Sequence, residues 1–434
     1  MVLALSAPAI WNGFPLIFPD TGGYLERPFE GTLDLGRSAL YGLFLYPATA
    51  LSFWPIVVVQ SALTVWLIAL ILRTQGLGGR PWLALGIVAL LSVATSLPWL
   101  AGQLLPDILF PAAVLSLHLL MFRADRIAAW ERFALAGVTA FAIGSHMAAA
   151  GLCVGILAAI WLIARVPAFA LPRPRLAFAT AAVAAGIAFC PVSNWAITGT
   201  FAFTPGGTSF LFGRLAEDGI VARYLADRCP DAALRLCAYQ SAMPDDADDW
   251  LWDPDSPFRK LGGWQGMHDE EREIILATLA RYPLLHAATA LVDTLSQYVS
   301  FQTEVSLDDN APTLEALEHY TPQLYPRLMR ARQQHGAIDV DAINLLHVPV
   351  AALAIAAIAG ALVFHRRLNV APGPAAFCAT VLAALLVNAA ICGVFSHPVD
   401  RYQSRLVPLA LFAVALLVAS RRRDHHLGRS AELS

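Results

Sequence analysis

Phe18-Pro19-Asp20-Thr21-Gly22-Gly23-Tyr24-Leu25 follows directly on an apolar run that begins at residue 1, and breaks that run with proline, aspartate and two glycines. Such a pattern reads as a membrane helix that stops at the water–lipid boundary with a carboxylate at its end. Taken alone, the stretch has two readings. Asp20 is a solvated turn residue, because Asp and Gly commonly mark turns. Or it is a carboxylate beside a membrane cavity, acting as general base or orienting an acceptor hydroxyl.

The rest of the chain supplies the context. Its 434 residues are 57% hydrophobic and 14% charged, against roughly 25% charged in soluble domains. Mean hydropathy is +0.59. The fold class expected is an all-α polytopic membrane protein. Apolar windows predict ten spans, near 1–18, 54–72, 82–98, 106–122, 133–147, 148–164, 176–193, 345–364, 374–394 and 406–420. Ser145-His146-Met147 is the only break between the fifth and sixth. The first run lacks a basic flank and continues into Pro19-Asp20, so it reads as a short first span and not as a signal peptide. A net charge of −3 gives no nucleic-acid footprint.

Basic residues orient the spans. With the N-terminus cytoplasmic, Arg73 and Arg80 fall on the cytoplasmic side. So do Arg123, Arg126, Arg132, Arg165, Arg173, Arg175, His365-Arg366-Arg367 and Arg421-Arg422-Arg423. Both termini are then cytoplasmic. The organisation expected is an N-terminal membrane module over 1–193, of about seven helices with a periplasmic first loop at 19–53. A periplasmic insertion at 194–344, C-terminal membrane helices at 345–420 and a basic tail at 421–434 follow.

The first loop holds Tyr41-Gly42-Leu43-Phe44-Leu45-Tyr46-Pro47, too short to span and read as an interfacial helix. The insertion is too long for an ordinary loop, and segments of this length are usually functional. Gly206-Gly207-Thr208-Ser209 opens it as a flexible polar turn, and Asp245 to Asp255 reads as an unstructured acidic loop. Asp269-Glu270-Glu271 suits a helix N-terminus. The apolar run after Pro283, with Asp293 inside it, reads as a helix packed on or near the membrane surface. Thr313 to His335 reads as an amphipathic helix broken at Pro322 and Pro326. Cys229 and Cys237 lie in a polar part of the insertion and form either a disulfide, if it is periplasmic, or two free thiols.

Several further groups share the face of Asp20. Leu105-Pro106-Asp107 puts a second carboxylate at the start of a span, where it either complements the helix dipole or faces a cavity. Asp400-Arg401-Tyr402-Gln403-Ser404-Arg405 carries two arginines at i, i+4 on the side where charge bias gives no reason for them. They either bind a phosphate or form salt bridges, for example to Asp107 or Asp20. Arg37 precedes the interfacial helix, and His146 sits at a turn of the same face. A lone His on an apolar turn is more often a satisfied core residue. No P-loop, GxSxG, HExxH or Cys/His metal spacing is present, so no metal or other cofactor is assigned. An enzyme on this face must draw its activated substrate from the membrane.

In these features the chain resembles the GT-C superfamily of integral-membrane glycosyltransferases. They are the acid in Pro19-Asp20-Thr21-Gly22-Gly23-Tyr24-Leu25, the loop helix introduced by Arg37, the second acid in Leu105-Pro106-Asp107, and Arg401-Tyr402 before the last span. The resemblance implies a bacterial inner-membrane enzyme with a periplasmic active face. Its donor would be a polyprenyl-phosphate-linked sugar taken from membrane lipid. It further implies that Asp20 is catalytic and assisted by Asp107, with Arg401 or Arg405 on the lipid phosphate. Tyr24, Arg37, His146 and Tyr402 complete the expected substrate-binding set. The chain lacks a WWD signature and an Asp-Glu pair in its first loop. A transporter or flippase of a lipid-linked or anionic substrate is a second reading, and a non-catalytic envelope-assembly protein a third.

Overall fold

The computed structural model of the protein describes residues 1–33, 37–204, 206–305 and 311–432. Gly36, beside Arg37, and the last two residues of the expected basic tail lie outside the described residues. Among the described residues the chain is all-helical and has no strand. The extended pairing among these residues is an isolated parallel bridge between Leu16 and Gln103.

Among the described residues, five helices have the length and apolarity to cross a membrane: Trp54–Thr74, Leu176–Thr198, Val340–Val363, Pro372–Phe395 and Asp400–Arg421. A sixth is added if His268–Arg281 and Pro283–Val299, bent by 102° at their junction, count as one broken span. The other expected spans are shorter helices: Val2–Asn12, Pro81–Ala94, Leu109–Phe122, Ala129–Ser145 and Ala148–Ile163. At 1.5 Å per residue, a helix of about 14 residues covers roughly 21 Å of a hydrocarbon core about 30 Å thick. Hydropathy windows read through helix stops. Gly13, in the left-handed region at φ 86°, ends the first helix while the sequence stays apolar to Phe18.

The break at Ser145-His146-Met147 is observed, between Ala129–Ser145 and Ala148–Ile163. So is the helix started by Asp269-Glu270-Glu271, and Pro283 marks the bend that follows it. Pro283–Val299 packs along Pro372–Phe395 and leaves Leu284, Leu291, Val292, Leu295 and Val299 exposed as one apolar face. Asp293, on its other side, is buried against Arg214.

The insertion builds a second core around Phe212, Val221, Leu236, Trp250, Phe258 and Ile274. Two expectations are corrected there. The glycine pair at 206–207 opens helix Gly207–Glu217 in place of a flexible turn. The acidic tract is folded: Asp246 caps helix Ala247–Trp252 by accepting from the backbone N–H of Asp248 and Asp249. Its Trp250 is fully buried. Cys229 and Cys237 are joined as a disulfide.

The bundle has two chemically distinct ends. At one, Arg73 pairs with Glu131, Arg123 donates to Gln75 and Arg126 to the Thr74 carbonyl. The candidate residues Asp20, Arg37, Asp107, Arg401 and Arg405 gather elsewhere, where the Asp20 loop, the Gln103–Asp107 turn and the Asp400–Arg405 turn meet.

Candidate functional site

The quoted stretch is the hub of this end. The Leu16–Gln103 bridge lays it beside the Asp107 turn, with the Leu16 N–H donating to the Gly102 carbonyl and the Leu104 N–H to the Leu16 carbonyl. Thr21 tightens the join, accepting from the Phe18 N–H at 2.9 Å and donating to the Leu104 carbonyl at 3.4 Å. The Pro19 carbonyl accepts from Thr313, on the insertion helix Ala311–Tyr320. The two glycines are there for close approach. A Cβ on Gly22 would overlap the Thr313 backbone, and one on Gly23 would overlap the Arg37 guanidinium.

Asp20 sits at the N-cap of helix Thr21–Glu30, yet its carboxylate accepts nothing from that helix. It is turned to two arginines instead. Arg37 donates to one oxygen at 2.6 Å and Arg401 to the other at 2.6 Å. Burial alone would raise the Asp20 carboxyl, but the charges and hydrogen bonds of Arg401 and Arg37 hold it far below the usual carboxylate range. This clamp remains open to the outside, with the Asp20 side chain 27% exposed. The Arg401 guanidinium also lies over the Phe18 and Tyr402 rings, at 4.7 and 5.1 Å.

A second Asp–Arg pair lies behind the first and is sealed. Arg405 donates to Asp107 at 3.1 Å and to Asn388 at 2.9 Å, and stacks on Phe110 at 3.3 Å. Both side chains of the pair are 3% exposed or less. Of the two readings of the Arg401 and Arg405 repeat, the salt bridges to Asp20 and Asp107 are the contacts observed. Arg405 is out of reach of any ligand at the surface. It anchors Asp107 and the Arg401 turn from within.

The remaining expected residues line the same region at different depths. Tyr402 is half-buried between the two arginine side chains, its hydroxyl 3.3 Å from that of Ser396. Tyr24 is buried edge-on against Tyr41, which bonds Gln60. His146 is half-buried, its ring edge-on to Phe110 and its Nδ1 accepting from the Ala148 N–H.

Sequence reading missed Glu304. Its backbone carbonyl accepts from Gln103 at 3.2 Å, and its half-buried carboxylate accepts from the Arg401 backbone N–H and faces Asp107 and Asp400. Burial raises its carboxyl above the ordinary range, against the opposing charge of Arg401. It lies in an irregular segment with no motif around it, so no local signal marks it. Also missed was the approach of helix Ala247–Trp252 to the rim, where Trp252 lies 5.8 Å from the Arg37 guanidinium and Asp248 lies 3.5 Å from His397. The capping Asp246 and the apolar Trp250 four residues on were the available signal for a helix.

The arrangement combines an open, doubly cationic clamp on one carboxylate with a second, half-buried carboxylate whose proton affinity is raised. Among the described residues, no three His, Cys, Asp or Glu side chains lie together as a metal-binding group. Comparison with protein-family models, with curated proteins and with solved structures found no match to this chain.

Proposed function

We propose that the protein is an inner-membrane glycosyltransferase of GT-C type, moving a sugar from a polyprenyl-phosphate donor to an acceptor on the periplasmic face. The observation that carries the reading is the shared clamp of Arg37 and Arg401 on Asp20, partly open at the end of the bundle away from the Arg73, Arg123 and Arg126 belt. Ten crossings are part of the reading, with the shorter apolar helices crossing a locally thinned or tilted boundary beside the five long ones. The disulfide supports an oxidising compartment for the insertion.

A guanidinium has five N–H donors, so holding a carboxylate and a phosphate at once is within its capacity. In this reading Arg37 and Arg401 take the donor phosphate. The acceptor hydroxyl oxygen bonds to the anomeric carbon as the carbon–oxygen bond to phosphate breaks. The bonding pair leaves on the phosphate oxygen, where the two arginines meet the new charge. The hydroxyl proton goes to a carboxylate. Asp20 is a poor base while two arginines hold it, so its role is to orient the arginines and the acceptor. Glu304, with its raised proton affinity, is the better recipient.

The test offers membranes from cells making the protein undecaprenyl-phosphate carrying radiolabelled glucose, mannose or galactose, and follows label into envelope material. Transfer by the wild type that drops by at least 100-fold in Asp20→Asn is expected. Equal transfer by the variant, or no transfer of any labelled sugar by the wild type, sinks the reading. Counter-transport by the purified protein in vesicles without a covalent product would favour the transporter.

A further inference from the structure

The insertion sends one short helix to the mouth of the Asp20 site, and its two sides differ in kind. On one side of Ala247–Trp252, Ala247, Trp250 and Leu251 are buried in the insertion core. On the other, Asp248 and Trp252, at i, i+4, face the site. Asp248 meets His397, four residues before Arg401, and accepts from the Trp252 indole N–H. Trp252 meets Arg37, the partner of Asp20.

Trp250 and Trp252 are two residues apart and have opposite fates. Trp250 is 0% exposed and Trp252 is 41% exposed. Leaving much of an indole in water forgoes apolar stabilisation. The ring is nonetheless held: Trp264 and Phe210 pack edge-on against it at 5.9 and 6.3 Å. A rigid, half-exposed indole beside a carboxylate has two complementary surfaces. The flat ring suits the apolar C–H face of a sugar. The carboxylate suits its hydroxyl rim, since an ionised carboxylate offers about four acceptor positions. Charge also separates the mouth into two halves. Arg37 and Arg401 attract an anion, whereas Asp248 repels one.

We propose that Trp252 and Asp248 form a carbohydrate subsite that stacks the sugar ring of a lipid-phosphate substrate while Arg37 and Arg401 hold its phosphate. This rests on the glycosyl-transfer reading and adds the direction in which the substrate lies across the site.

The test measures binding of two probes to the full chain in lipid nanodiscs. One is undecaprenyl phosphate, and the other is undecaprenyl phosphate bearing glucose, mannose or galactose. The wild type should hold at least one glycosylated lipid 10-fold or more tighter than the bare lipid. Trp252→Ala should abolish that preference and leave bare-lipid affinity within twofold, while Trp252→Phe keeps most of it. Asp248→Asn, compared with the wild type at pH 9, where the Asp248–His397 pair no longer holds the helix in either protein, should also cut the preference several-fold, and it decides the matter if Trp252→Ala loses both lipids through misfolding. A preference that survives both Trp252→Ala and Asp248→Asn overturns the subsite. So does a wild type that binds both lipids equally. A wild type that binds neither overturns the glycosyl-transfer reading itself.

Discussion

Arg401 and Asp20 stand 381 positions apart in the chain and meet at 2.6 Å, with Arg37 completing the clamp from the other oxygen. The geometry makes Asp20 the anchor of two cations. Removing its charge should leave two adjacent guanidiniums uncompensated. On the glycosyl-transfer reading Asp20→Asn should therefore abolish transfer, and Arg401→Lys should lose it too, because an ammonium lacks the planar fork that spans carboxylate and phosphate. The check is the label-transfer assay alongside size-exclusion profiles in detergent. Normal activity in Arg401→Lys would argue against the clamp as the anion site.

The sealed pair behind it should behave differently. Asp107 and Arg405 are almost entirely inaccessible and each is the other's charge partner. Removing one leaves a buried unpaired charge, at a cost on the order of 3–5 kcal/mol. Arg405→Ala and Asp107→Ala should each lower the unfolding temperature sharply. The double variant Asp107→Leu with Arg405→Met should recover much of the loss, since apolar replacement of a buried pair is often tolerated. Thermal unfolding in detergent reads this directly. Singles that unfold like the wild type would remove the buried pair from the scaffold.

How much of this was legible in the sequence follows from the range of each interaction. The shared face of Asp20, Asp107, Arg37 and Arg401 was readable, because charge bias in short loops orients every span at once. Both partners of the Arg401 and Arg405 repeat were also readable as alternatives, by type and side. Which acid each arginine takes was not, because that depends on how helices hundreds of residues apart pack. The first span was read too long because Phe14, Leu16 and Phe18 are apolar for a different reason: they are buried in the protein core beyond the end of their helix. Glu304 gave no signal, since its environment comes from Gln103 and Arg401, both remote in sequence.

Gly23 offers a sharper probe of the clamp than any charged residue. Its missing side chain is the space Arg37 occupies, and its helical backbone is one any residue can adopt. Gly23→Ala should displace Arg37 with little change in backbone energetics. Transfer should fall about as far as in Arg37→Ala, with unfolding temperature nearly unchanged. A fully active Gly23→Ala would mean that the Arg37–Asp20 contact is dispensable.

Glu304 sets an expectation for the acid side of the pH–rate profile. Burial raises its carboxyl above the ordinary range, so a base role requires that transfer rise with pH through that raised value. Glu304→Gln should lower the rate by about 100-fold, in line with the usual contribution of a general base, and should flatten the acid limb. Donor binding should change little. A Glu304→Gln variant that weakens donor binding but keeps the wild-type pH profile would assign Glu304 to positioning.

His397 meets Asp248 of the insertion at the rim. It lies between the helices Pro372–Phe395 and Asp400–Arg421. Burial alone would lower its pKa, but the hydrogen bond and charge of Asp248, with Glu217 and Asp246 nearby, raise it above the ordinary value. A histidine raised in the folded state contributes stability that is fully present below about pH 6.5, its unfolded value. That contribution fades as pH climbs through the higher folded value. The hold of Ala247–Trp252 on the site should thus loosen toward alkaline pH. Amide exchange over 245–255, corrected for intrinsic rates, should show less protection at pH 9 than at pH 6. His397→Gln and Asp248→Asn should each remove that pH dependence and leave protection at the lower level throughout. Equal protection at both pH values in the wild type would mean that the Asp248–His397 pair does not hold the helix in place.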